Sequence, residues 1–257
     1  TTINKFTDYF NTKLYTGNGG TQSITGVGFQ PDLAWIKRRD GGTAHHQWFD
    51  ALRGSNKRIY SSSTAVEDTA TDTLTSFDSD GFSVGANSGV NGSSNATVAW
   101  NWKANGQGSS NTDGSTNTTY TSVNSTAGFS ISTYAGSGSA ATIGHGLGAA
   151  PEVIIIKCTT HVENWVMYHK SLNASGAGTY VYFNTAAPGG SGSNTSIFNN
   201  TAPTNSVFSV NTDGVSNGSG KNYVAYCFKE KQGYSKFGIY TGNGNDDGAF
   251  IYTGFKP

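Results

Sequence analysis

The chain has 257 residues, of which 35% are hydrophobic and only 12% charged, with Gly present 35 times. Its 16 basic and 16 acidic residues cancel, which leaves no electrostatic footprint for nucleic acid, and no run approaches the ~18 apolar residues of a membrane helix. Aromatics at 12% argue against disorder, while abundant Gly and β-branched residues disfavour helix and favour short strands between tight turns.

In chain order, the first strand signal is residues 10–17 (FNTKLYTG), closed by the turn Asn18, Gly19, Gly20. Ile24 and Gly28 lead to residues 31–37 (PDLAWIK), where alternation puts Trp35 with Leu33 on a core face. The basic run Lys37, Arg38, Arg39, with Arg53, Lys57 and Arg58 downstream, is offset by Asp32, Asp40 and Asp50. Trp48 begins a strand beside a loop. Ser79, Asp80 and Gly81 form a turn before residues 82–84 (FSV). In residues 98–103 (VAWNWK), Val98, Trp100 and Trp102 share one strand face and Ala99 and Asn101 the other; the large residues are expected in the core. Residues 104–117, rich in Gly, Ser, Asn and Thr, are expected to be a linker.

The same series then recurs, and internal repetition outranks every other feature of a sequence. Residues 129–136 (FSISTYAG) match the first strand, and Ile143, Gly148 and residues 151–157 (PEVIIIK) follow. Residues 208–210 (FSV) and 224–229 (VAYCFK) match the later pair at a common offset, with a loop of equal length between them. Trp165, like Trp48, begins a loop-adjacent strand. Residues 237–242 (FGIYTG) open a third copy that runs to residues 254–257 (GFKP). Seven or eight short strands per copy, without long amphipathic connections, predict an all-β chain. The expected architecture is two tandem jelly-roll-like (concanavalin-A or laminin-G-like) β-sandwiches plus the start of a third repeat. The boundaries fall at residues 1–110, 111–236 and 237–257, the last packing on the second repeat by adding to its sheets.

Candidate chemistry is sparse. Cys158 and Cys227 sit at the places of Arg38 and Asn101, so they are read as free thiols, with a Cys158–Cys227 bridge as the other reading. His45, His46, His145, His161 and His169 show no metal-ligand spacing. The run Asp78 to Gly81 reads as a turn, because the aligned Thr204 to Val207 carries no carboxylate. Residues 243–248 (NGNDDG) have the best density of oxygen ligands and would suit calcium, although nothing in sequence supplies the rest of a coordination shell. Asp32 and Glu152 recur in register, as do Lys37 and Lys157, which suggests turn electrostatics and not an acid–base pair. There is no nucleophile elbow or phosphate loop; glycoside hydrolysis needs two facing carboxylates, and few of the 16 acidic residues lie near aromatics. The chain is expected to have no catalytic, cofactor or metal residues and not to be an enzyme.

Residues 29–37 (FQPDLAWIK), 75–82 (TSFDSDGF), 223–228 (YVAYCF) and 233–244 (GYSKFGIYTGNG) resemble a repeated domain of marine bacteriophage virion proteins, in chains labelled tail fibre or structural protein. The likeness covers almost the whole sequence and brings no catalytic residues with it. It implies a virion or extracellular location and a fibre, spike or capsid-decorating role. It further implies contacts with other virion proteins, a homo-oligomer (a trimer if a fibre) and contact with host-surface glycan, with no nucleic acid and no membrane insertion. The alternative is a secreted carbohydrate-binding module, in which Trp48 and Trp165 would stack on sugar rings.

Overall fold

The computed structural model describes residues 2–173, 176–187, 189–190 and 193–255. It is all-β. The first half forms β1 (Phe10–Thr16), β2 (Gln22–Thr25), β3 (Leu33–Arg38), β4 (Gln47–Asp50), β5 (Lys57–Tyr60), β6 (Asp68–Thr69), β7 (Leu74–Asp78), β8 (Gly81–Val84), the single-turn helix α1 (Ser88–Asn91) and β9 (Ala96–Trp102). The second half forms β10 (Tyr120–Asn124), β11 (Phe129–Ala135), β12 (Ala141–Gly144), β13 (Val153–Cys158), β14 (Val166–His169), β15 (Val181–Tyr182), β16 (Val207–Val210) and β17 (Asn222–Phe228).

These strands make two large sheets, β1-β9-β3-β4-β5-β6 and β10-β11-β17-β13-β14-β15, and two small ones, β2-β8-β7 and β12-β16. Every pairing between these strands is antiparallel. Register is matched between the halves: Trp102 faces Phe10 on one side and Leu33 on the other, and Phe228 faces Phe129 and Val153. Tight turns hold the small sheets close. At Gly81 (φ 151°) a Cβ would collide with the Ile24 carbonyl, so only Gly serves there.

Three apolar clusters separate four layers. Ile24, Leu74, Phe82 and Val84 of the first small sheet pack on Ala34, Ile36, Phe49 and Ala99 of the first large sheet. Ile143, Phe208 and Val210 of the second small sheet pack on Tyr134, Ile154, Ile156, Ala225 and Cys227. Between them the two large sheets stack face to face, with Leu33, Trp48 and Ile59 against Phe129, Ile131, Val153, Val224 and Tyr226.

Val98, Val224 and Tyr226 are buried as expected, and the opposite faces of their strands are buried too. Strand alternation holds, but Trp102, Tyr226 and Phe228 turn toward the other large sheet, and Ala99, Ala225 and Cys227 fill the layer under the small sheets. Both faces of each large sheet are covered, so size no longer marks the inner face. The expected linker is also tied down. Ala104 is buried in the central layer, and the Asp32 carboxylate accepts from the N–H groups of Ala104 (2.6 Å) and Gly106 (2.9 Å).

Beyond β17, Phe237 packs near Phe228 (ring centroids 6.0 Å). No strand forms among the described residues after it, and Tyr240 (71%) and Phe250 (90%) are exposed. The expected addition to a sheet is therefore not seen. Tyr15 and Tyr134 sit in strands paired to β9 and β17, whereas these 257 residues hold no third copy of that partner strand.

Candidate functional site

An aromatic cleft lies in the central layer. One wall is Phe10, Trp35 and Trp102 from the first large sheet; the other is Phe129, Met167 and Phe228 from the second. Trp48, Phe183, Tyr234 and Phe237 also line it, and its volume is about 400 Å³. The rings are in register because β1, β9 and β3 are neighbours: Phe10 and Trp102 lie 4.9 Å apart and Trp35 and Trp100 5.2 Å apart. Across the layer, Trp48 meets Tyr226 at 4.9 Å and Trp165 at 5.2 Å, both edge to face. Such geometries are favourable for ring quadrupoles.

Beside these rings lies a buried polar lock between the halves. The Tyr226 hydroxyl donates to Asp50 Oδ2 at 2.6 Å, and Arg53 Nε donates to the same oxygen at 2.6 Å. Arg53 also reaches Glu67 at 3.0 Å. Burial, with the Asp50 carboxylate beside it, holds the Tyr226 phenol well above its usual pKa, so it stays a donor. Lys157 is fully buried and donates to the carbonyls of Glu163 (2.6 Å) in its own half and Thr64 (2.9 Å) in the other. Burial pushes its pKa down to about 8.

The recurring charged residues clamp backbone. Asp32 holds the chain leaving β9, and Glu152 holds the chain leaving β17 by accepting from Glu230 N–H (2.7 Å) and Lys229 Nζ (2.6 Å). Lys37 donates to Ala44 O at 2.6 Å, the counterpart of the Lys157–Glu163 contact. Asp80 is a turn residue whose oxygens accept from Gly26 and Gly28 N–H.

Trp48 (1% exposed) and Trp165 (0%) are buried in the central layer. The reading of them as exposed sugar-stacking platforms is corrected, because the opposing sheet covers the faces a sugar would use. The two thiols are free and buried. Register places Ile154, not Cys158, opposite Cys227, and four residues of strand is about 13 Å, beyond the ~7 Å Cα separation a disulfide spans. Burial pushes the Cys227 thiol up to about 12, which leaves it unreactive. Among the described residues no three His, Cys, Asp or Glu side chains are grouped to hold a metal. In residues 243–247 these oxygens accept from N–H groups of the same segment, Asp247 O from Asn243 Nδ2 and Asn243 Oδ1 from Asn245 N–H.

Sequence reasoning missed the Asp50–Arg53–Tyr226 lock, since nothing local marks partners 176 residues apart. It also missed Asn91 and Asn217, although they stand at aligned positions and both precede Gly. That recurrence was the available signal.

A family profile described as a domain of unknown function (DUF7483) matches residues 5–257. No curated protein matches the chain, and no solved structure does.

Proposed function

The chain belongs to the DUF7483 family, and on that premise we propose that it is a non-enzymatic structural protein of a bacteriophage virion: a tail fibre, spike or capsid-decorating component. The finer fold reading is two tandem jelly-roll-like sandwiches joined back to back, followed by the opening of a third. Its support is the shared register of β1-β9-β3 and β11-β17-β13. The observation that carries the functional reading is the central layer itself. Two large sheets sealed by Trp48, Trp165 and Tyr226 make a stiff block, suited to bearing load at a particle surface. The resemblance of residues 29–37 and 233–244 to marine phage virion repeats supplies the biological setting.

As a virion component the chain contacts other virion proteins, and as a fibre it forms a homotrimer. The carbohydrate-module reading loses its two named rings, Trp48 and Trp165, to burial. Size-exclusion chromatography with light scattering, followed by a glycan array, tests the proposal. A stable oligomer is the expected result. A compact monomer that binds a sugar would sink it, as would hydrolysis of a glycan that is abolished by changing one acidic residue.

A further inference from the structure

Register makes Gln47 the counterpart of Val166: Gln47 pairs with Ile36 and Val166 with Ile156, and these pair in turn with Ala99 and Ala225. Gly89 and Val215 correspond as well, each two residues before the buried asparagine of its half, and Arg38 stands at the place of Cys158. In the second half Cys158, Val166 and Val215 all lie in one buried apolar cluster. In the first half Arg38, Gln47 and Gly89 instead line an open cleft of about 430 Å³, with His45, Arg58, Tyr60 and Ser88. It lies on the outer face of the first large sheet, since Trp48 enters the central layer and Gln47 points the other way. Its volume falls within the range of small-molecule sites, about 300–1,000 Å³. Gln47 is 3% exposed, and its side chain makes no hydrogen bond among the described residues, whereas buried amides ordinarily find partners. Its Oε1 is sealed off; its Nε2 is not. A Cβ on Gly89 would stand 2.3 Å from that Nε2. The bare Gly89 thus leaves an uncommitted amide donor in the wall of the cleft.

We propose that this cleft binds one uncharged pyranose ring, a hydroxyl of which accepts a hydrogen bond from Gln47 Nε2. The lining argues for each term. Arg38 is paired with Asp40 and Arg58 with Asp68, so neither an anion nor a cation meets an uncompensated charge to offset its lost hydration. A wholly apolar ligand would take water from the Gln47 amide and from the Tyr60 and Ser88 hydroxyls and return no hydrogen bond. A pyranose brings hydroxyls that both donate and accept to those groups. Its C–H face meets ring carbon of His45 and Tyr60, whose centroids lie 4.8 Å apart. The Arg58 guanidinium, 4.9 Å from the Tyr60 centroid, holds that ring in place. The inference goes beyond the virion reading and stands on the cleft alone: oligomeric state tests the one, saccharide binding at Gln47 the other.

The test uses the full chain and four probes: the methyl pyranosides of glucose, galactose and mannose, and sodium sulfate. In NMR titrations of the nitrogen-labelled chain, at least one glycoside is expected to bind in the millimolar range and to shift the Gln47 side-chain amide signals. Sulfate should leave them in place. Gln47→Val combined with Gly89→Val installs the residues of the closed second half, and the space taken at position 89 is returned at position 47. That variant should bind the glycoside at least about tenfold more weakly. Should it fold poorly, the native chain decides by its own internal control: the Gln47 amide signals should move, and those of the enclosed Asn217 amide should not. The proposal is overturned if no glycoside shifts the Gln47 amide, if sulfate shifts it as strongly, if the Asn217 amide moves with it, or if binding survives the double substitution.

Discussion

Lys157 shows how a single side chain is reassigned by its surroundings. From the sequence it is the counterpart of Lys37, and both donate to a carbonyl of the hairpin that follows. The opposing half then encloses Lys157 and adds the Thr64 carbonyl as a second acceptor. Its folded pKa, about 8, lies below the 10.5 of a free lysine. Between those values the unfolded chain holds more protons than the folded one, so stability rises with pH across that window. Below pH 8 the cost of enclosing the charge is fully present. Urea denaturation at intervals from pH 7 to 10 should show a rise of at most about 3 kcal/mol. Lys157→Met should abolish it, whatever its effect on absolute stability. Above pH 10 the buried phenols of Tyr134 and Tyr226, held protonated in the folded state, act in the opposite direction.

At the scale of elements, two asparagines anchor the loops that leave β1 and β11. Asn91 Oδ1 accepts from Asn18 N–H (3.0 Å), and its Nδ2 faces Gly20 O (2.6 Å) and Gly85 O (2.9 Å). Asn217 Oδ1 accepts from Ser137 N–H (2.9 Å), and its Nδ2 reaches Ser139 O (2.6 Å). Beside them Tyr15 donates to Val90 O (2.6 Å) and Tyr134 to Ser216 O (2.7 Å). Both asparagines are fully buried, so Asn91→Ala and Asn217→Ala should each destabilise by about 1–3 kcal/mol. Asn91 ends α1 ahead of β9, Asn217 lies in the turn before β17, and the two share no partner. Their effects in urea melts should therefore add to within about 0.5 kcal/mol. Residues 240–244 repeat residues 15–19 letter for letter, YTGNG. Tyr240 is nonetheless exposed, because the motif supplies only one side of the contact and the Asn-bearing turn supplies the other.

At the scale of the molecule, hydrogen bonds cross between the halves well away from the connection at residues 104–117. Glu67 N–H donates to Thr159 O (2.9 Å), Glu163 N–H to Thr64 O (3.2 Å) and Trp165 to Tyr60 O (2.8 Å). Together with the central layer they should hold the halves as one body without a covalent link. A protease site inserted after the exposed Thr112 and cleaved should leave fragments that co-elute on size exclusion and melt in one calorimetric transition. Separation of the fragments, or two transitions, would show that the central layer is weaker than its burial implies.

The sequence by itself determined the all-β class, the strand positions around residues 10–16, 33–38, 98–102 and their later counterparts, the alternation within them, and the paired roles of Asp32 with Glu152 and Lys37 with Lys157. These follow from periodicity and recurrence, which are written locally. Only the tertiary structure decided which face of each strand meets which layer, that Trp48 and Trp165 are enclosed, and that Asp50 finds Tyr226. Alternation says that two faces differ; it does not say what covers them. A second large sheet stacked on the first buries both faces, and that stacking joins residues far apart in the chain, where no local pattern can record it.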